Sequence, residues 1–164
     1  KDRTIILDGF SKSYAMTGWR LGYGICPEEL VPHITRLAVN SVSCAASFSQ
    51  IAAIAALDGP QDEVHAMAQE FSQRRRLITD GLRSIPGIRC PEPEGAFYAF
   101  PSIAETGLSS HEFEERALSE AGVALLSGSA FGEYGEGYVR LSYANSQENI
   151  QIALESIRKF VQTL

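Results

Sequence analysis

Thr4-Ile5-Ile6-Leu7 constrains the fold more than any other stretch of the chain. Three β-branched residues and a leucine in succession leave no charged face. A strand built from them has to be covered on both sides, as in a mostly parallel sheet. Such a strand needs neighbours, yet only Lys1-Asp2-Arg3 stand before it. The expectation is that the chain is a piece of something longer. Gly9-Phe10-Ser11-Lys12 then turns, and a second apolar run, Leu21 to Cys26, reads as another strand that Pro27 ends. The local picture is two short strands joined by a loop that carries Lys12 and Arg20.

Helical periods follow. Glu28 to Val39 repeats apolar residues at Leu30, Ile34, Leu37 and Ala38, and Phe48 to Leu57 is Ala-rich and mostly apolar, with Ser47 as its expected cap. Asp58-Gly59-Pro60 breaks it. Gln61 to Ile85 reads as one long amphipathic helix with Val64, Met67, Ala68, Phe71, Leu77, Ile78 and Leu82 inward, and Arg74-Arg75-Arg76 on a solvated face. Past Pro86-Gly87 strand-like segments alternate with helices. Ile88–Cys90, Ala96–Phe100, Val123–Leu126 and Tyr138–Tyr143 read as strands. Ser109 and Glu112 fit a capping box that opens a helix running to about Glu120. Ser146 caps a last helix with Ile150, Ala153, Leu154, Ile157 and Val161 inward. Residues 1–60 therefore read as the end of an α/β sheet domain, 61–85 as a long connecting helix, and 86–164 as a small α+β domain.

Composition removes whole classes of function. The chain is 45% hydrophobic and 21% charged, with a formal net charge of −6 and no long basic run. Nucleic acid and anionic membrane surfaces both ask for clustered positive charge, so neither is the expected partner. Cys26, Cys44 and Cys90 are odd in number and form no CxxC pair, which fits reduced thiols in a cytoplasmic protein. His33, His65 and His111 lack metal-ligand spacing. The glycines of Gly18–Gly24 do not follow a dinucleotide pattern, and the Gly128–Gly137 cluster lacks the Lys-Ser/Thr of a phosphate loop.

That leaves the loop. An ordinary lysine titrates near ~10.4 and is a poor nucleophile at neutral pH, but in a partly buried site near other cations it forms Schiff bases with aldehydes. An arginine offers a permanent charge and a planar fork for phosphate oxygens. A phosphorylated aldehyde would use both at once, and pyridoxal phosphate is one.

The wording of the loop goes further than its spacing. Gly9-Phe10-Ser11-Lys12-Ser13-Tyr14-Ala15-Met16-Thr17-Gly18-Trp19-Arg20-Leu21-Gly22-Tyr23 resembles, without a gap, the cofactor-lysine signature of class I aminotransferases of fold type I. Pro93 to Pro101 is similar to that family's small-domain strand beside the substrate. Gly128–Gly132 with Gly137–Ala144 is similar to its C-terminal loop and strand. The resemblance implies the following roles. Lys12 holds pyridoxal 5'-phosphate covalently and acts as general base, Arg20 binds the phosphate, Arg140 binds the substrate α-carboxylate, and Phe97 lies beside the substrate. Gly9 stands where many members have a phosphate-binding serine, so Ser11 is the candidate side-chain ligand. The resemblance also implies an amino acid and a 2-keto acid as substrates and a homodimer.

It covers essentially all 164 residues but only the later part of the family's chain: the end of the large cofactor-binding sheet domain, residues 1–60, the connecting helix, residues 61–85, and the small C-terminal domain, residues 86–164. The family's acidic partner of the pyridine nitrogen and the aromatic that stacks on the ring have no counterpart, so the isolated chain is expected to be inactive. Two alternatives remain. One is a non-catalytic, self-associating domain fragment. The other is a lyase or an enzyme like aminocyclopropane carboxylate synthase.

Overall fold

The computed structural model describes residues 3–164. It divides into two units, Lys1–Ala68 and Gln69–Leu164. In the first, β1 (Ile6–Gly9) pairs antiparallel with β2 (Gly22–Ile25), in a register that sets Ile6 opposite Ile25 and Gly9 opposite Gly22. The two glycines let the ribbon close tightly above the loop: a Cβ on Gly22 would stand 2.9 Å from the Asp8 carbonyl oxygen. Helices α1 (Val31–Ser41) and α2 (Ser47–Asp58) follow.

The strand expected to be buried on both faces is not. β1 starts only at Ile6, and Ile5, Ile6 and Leu7 are all exposed, Leu7 by 80%. Among the described residues β1 pairs with β2 alone, in a two-stranded sheet, and both faces of the ribbon meet solvent. Helix α2 is inverted relative to its hydrophobicity. Its small residues Ser49 and Ala53 are buried, while Phe48, Ile51, Ile54 and Leu57 are exposed. Ser47 lies inside this helix and does not cap it. Ala46 holds the cap position in extended conformation, and the Gln50 side-chain amide donates to the Ala45 carbonyl at 2.7 Å.

Helix α3 (Asp62–Arg83) contains the division between the units. Its later half belongs to the second unit, where Ile78, Thr79 and Leu82 are buried and Phe71 and Leu77 pack beside them. Thr79 was outside the apolar stripe read from the sequence, yet it is 1% exposed. The second unit continues with β3 (Tyr98–Ala99), α4 (Ser110–Ala121), β4 (Leu126–Ser127), β5 (Val139–Ser142) and α5 (Gln147–Val161). Its sheet has the order β3-β5-β4, antiparallel throughout. One sheet face contributes Ala99, Val139 and Leu141 to a core shared with Leu82, Ile85, Phe113, Ala117, Ile150, Leu154, Ile157 and Phe160.

Both expected caps in this unit form. Ser109 and Glu112 make the capping box of α4, and the Ser146 hydroxyl accepts from the Asn149 amide to open α5. The expected strands of this unit are shorter than read, and of Ala96–Phe100 only Tyr98–Ala99 is paired. Arg89 alone bridges to Ser102, because Pro91 carries no N–H with which to extend the ladder. Val123 and Leu125 are buried but unpaired, since the chain is still leaving α4 through Gly122, in left-handed conformation, with the Val123 amide bonded to Ala117.

Candidate active site

The loop between β1 and β2 holds Ser11, Lys12 and Arg20. Main-chain hydrogen bonds shape it. The Phe10 amide donates to Leu21, Ala15 donates to Lys12 and Met16 donates back to Phe10, so the residues around Lys12 form a closed turn. Phe10 and Met16 are buried beneath it with Ala53, and the Phe10 ring packs on Tyr14 and Tyr23 at 5.4 and 5.5 Å. Ala15 and Arg20 both take left-handed backbone, φ 52° and 53°. Non-glycine residues accept that at a cost, and such positions gather where a loop is held in one shape for a purpose. The Ser49 hydroxyl fastens the loop to α2 through the Trp19 carbonyl at 3.2 Å.

On this frame Lys12 is exposed and Ser11 half-buried. Among the described residues of this unit the Lys12 side chain is exposed, not partly buried. The Arg20 guanidinium turns back to donate to the Thr17 carbonyl at 2.8 Å. A guanidinium has five donors, so that bond fixes its direction and leaves most of the fork for an anion. Arg20 lines an open cleft of about 610 Å³ with Trp19, Cys44, Phe48 and Ser49.

Arg140 lies on β5, in the other unit. Strand alternation turns it away from the face that buries Val139 and Leu141. Its guanidinium carbon stands 4.3 Å from the ring centre of Tyr98 and 4.3 Å from that of Phe131. Tyr98 is opposite Ser142 in the β3–β5 register and so shares the face of Arg140. Phe97 points elsewhere. Its ring meets Phe71 at 6.0 Å and Tyr98 at 4.6 Å, and its carbonyl accepts from the Tyr143 amide at 2.9 Å. The segment before it is anchored from α3 and from Tyr143, just past β5. Arg75 donates to the Pro93 carbonyl at 3.3 Å and faces Glu92, and the Tyr143 hydroxyl donates to the Ala96 carbonyl at 3.0 Å. Arg75 is thus no part of a solvated face, whereas Arg76 is exposed. Burial raises the Tyr143 hydroxyl above its ordinary pKa, against the opposing charge of Arg75.

The sequence reading missed Tyr98 and Phe131. Period-two alternation through Ala99 could have placed Tyr98 on the face of Arg140. No local signal brings Phe131 there, since it arrives by way of the 128–138 turn. Among the described residues no cluster of three or more His, Cys, Asp or Glu could hold a metal, and no helix is long and apolar enough to cross a membrane.

Residues 1–157 match the family model for aminotransferase class I and II. The aspartate aminotransferase of Pyrococcus horikoshii is 43% identical over 163 residues, covering 98% of this chain and 42% of the relative. The aromatic-amino-acid aminotransferase 2 of Thermococcus litoralis is likewise 43% identical, with the same coverage. Among solved structures, an aromatic aminotransferase from Pyrococcus horikoshii superposes with a TM-score of 0.94 at 41% identity, over 99% of this chain and 44% of that one. The aspartate aminotransferase from Rhizobium meliloti gives 0.93 at 38%, over 99% and 42%. The chain belongs to the class I and II aminotransferases, with the fold of part of such an enzyme. It spans less than half the length of these relatives.

Proposed function

We propose that this chain carries the lysine and both anion-binding arginines of an enzyme that moves an amino group between an amino acid and a 2-keto acid with pyridoxal 5'-phosphate. The observation that carries the reading is the β1–β2 loop. It is a closed turn that presents Lys12 and Arg20 from one backbone, in a chain whose family is aminotransferase. The donor set fits the group. A lysine amine suits the aldehyde, and a guanidinium with the Ser11 hydroxyl suits the phosphate. When bound, the cofactor supplies the electron sink that lets the substrate Cα proton leave. Lys12 Nζ would hold the aldehyde and, as a free amine, would take that proton and return it as general acid. Arg140 grips the α-carboxylate in two parallel hydrogen bonds and so fixes Cα, while Phe97, packed on Phe71 and Tyr98, backs the strand beside the substrate and does not itself line it. The enzyme is read as a cytoplasmic homodimer, in keeping with the three free thiols of Cys26, Cys44 and Cys90. The chain alone is read as inactive, because it spans about 42% of relatives such as the Pyrococcus horikoshii enzyme.

Cofactor trapping tests the reading. The chain is mixed with pyridoxal 5'-phosphate, reduced with borohydride, digested and mapped by mass. One label per chain at Lys12, lost in Lys12→Ala although Lys159 still competes, is the expected result. The same mixture should exchange amino groups no faster than free cofactor. Label spread over several lysines would overturn the assignment of Lys12.

A further inference from the structure

We infer that Tyr98 and Phe131 are positioning residues for Arg140: they clamp its guanidinium so that it offers a carboxylate its N–H edge and nothing else. The inference rests on the reading of Arg140 as the carboxylate-binding residue. A guanidinium is a flat ion with two kinds of surface. Its edge carries the N–H donors, while its faces attract aromatic rings and stray anions. Here both rings stand 4.3 Å from the same guanidinium carbon, well inside the range of about 6 Å at which a cation and a ring attract.

The two rings come from separately pinned places. Tyr98 belongs to β3, fixed to β5 by its register with Ser142 and backed by Phe97 at 4.6 Å. Phe131 ends a tight turn that starts at Gly128, and its ring meets the edge of Phe100 at 6.1 Å. Phe100 in turn stacks on Tyr138 at 5.4 Å, with 8° between the ring planes. The Ser110 hydroxyl, itself buried, receives the Gly137 and Tyr138 amides at 2.8 and 3.2 Å and holds that turn against the start of α4. The clamp is therefore part of the scaffold of this unit.

An arginine held in this way has lost most of its rotamer freedom before any ligand arrives, so a carboxylate need not order it on binding. The clamp also makes a prediction about ligand shape. A planar carboxylate can lie in the guanidinium plane and take two parallel hydrogen bonds. A tetrahedral phosphonate projects oxygens out of that plane, where rings clamping the guanidinium would meet them.

The test follows the side-chain Nε–H signal of Arg140 by NMR in the 164-residue chain, assigned by its loss in Arg140→Lys. Acetate and methylphosphonate are titrated against chloride at constant ionic strength. We expect the signal to lie upfield from ring currents, to move saturably with acetate, and to respond more weakly to methylphosphonate. Tyr98→Leu and Phe131→Leu should each weaken acetate binding by about fivefold or more, while Tyr98→Phe stays within about twofold. Backbone amide spectra check that each variant is folded. Should Tyr98→Leu unfold, Phe131→Leu, whose ring is 49% exposed, carries the test alone. Equal acetate binding by the parent chain and a folded leucine variant would overturn the clamp and leave the carboxylate reading standing. An upfield Arg140 signal that acetate never moves would overturn the carboxylate reading, and the inference with it.

Discussion

At the start of α4 the Ser109 hydroxyl accepts from the Glu112 amide at 3.3 Å, while the Glu112 carboxylate accepts from the Ser109 amide at 3.0 Å and its hydroxyl at 2.7 Å. These bonds, the hydroxyl first, hold the Glu112 carboxyl below its ordinary pKa. A folded pKa below the unfolded one gives stability that is complete above the unfolded value and fades as pH falls through the folded value. Ser109→Ala should therefore cost about 1 kcal/mol near neutral pH, with a smaller gap to the parent chain at about pH 3. Urea midpoints at both pH values decide it, and an unchanged gap would deny the carboxylate any part. This pair was legible in the sequence because it lies within four residues and owes nothing to the rest of the fold. The neighbours of Arg140 were not. Lys12, Arg20 and Arg140 could be singled out by the wording around them, whereas the rings of Tyr98 and Phe131 reach Arg140 through strand register and a turn that no local pattern encodes.

Elements were legible where periodicity is long and misjudged where burial depends on a neighbour. α3, α4 and α5 stand within a few residues of their expected spans, because a 3.6-residue period over three or more turns has few competing explanations. The Thr4–Leu7 run was read as buried from composition alone, but a strand is covered only if another layer lies on it, and here it is open. The turn from Gly128 to Tyr138 shows a constraint that hydrophobicity does not report. Gly128 donates to the Tyr138 carbonyl at 2.8 Å, and a Cβ at Gly128 would strike the carbonyl oxygens of Gly135 and Tyr138. Both obstacles are main chain, so no side chain can swing aside. Gly128→Ala should destabilise the chain by at least the ~1–3 kcal/mol of ordinary overpacking and should shift the Arg140 Nε–H signal as Phe131 moves. Gly95→Ala is the control. A Cβ there meets nothing within 4 Å, and its cost should stay within about 0.5 kcal/mol. Equal thermal midpoints for the two variants would show that the turn yields more readily than its contacts imply.

The two units differ in how much of themselves they bury, and that difference governs the behaviour of the whole chain. The second unit holds a continuous core running from Ile78 to Phe160 through α3, α4, α5 and the central strand. In the first unit the buried hydrophobic cluster consists of Phe10, Met16 and Ala53, with Tyr14, Leu21, Ala52 and Ala56 packed beside it. Burying a large apolar side chain contributes about 1.5–3 kcal/mol, while ordering each residue's backbone costs about 1–2 kcal/mol. Apolar burial is what offsets the ordering cost, so the first unit, with the smaller buried cluster among the described residues, is the less stable of the two. Native-state hydrogen exchange should therefore split the chain. Amides of Leu82, Phe113, Val139 and Leu154 should exchange only through global opening of their unit. Those of Leu7, Ala53 and Ile54 should exchange orders of magnitude faster. Comparable protection of Ala53 and Leu154 would show that the loop carrying Lys12 is held as firmly as the sheet carrying Arg140. The expected split would mean that the two units differ in kind. Arg140 would sit on a scaffold that stands by its own core, and Lys12 on a loop that becomes fully ordered only when its exposed ribbon and α2 are covered.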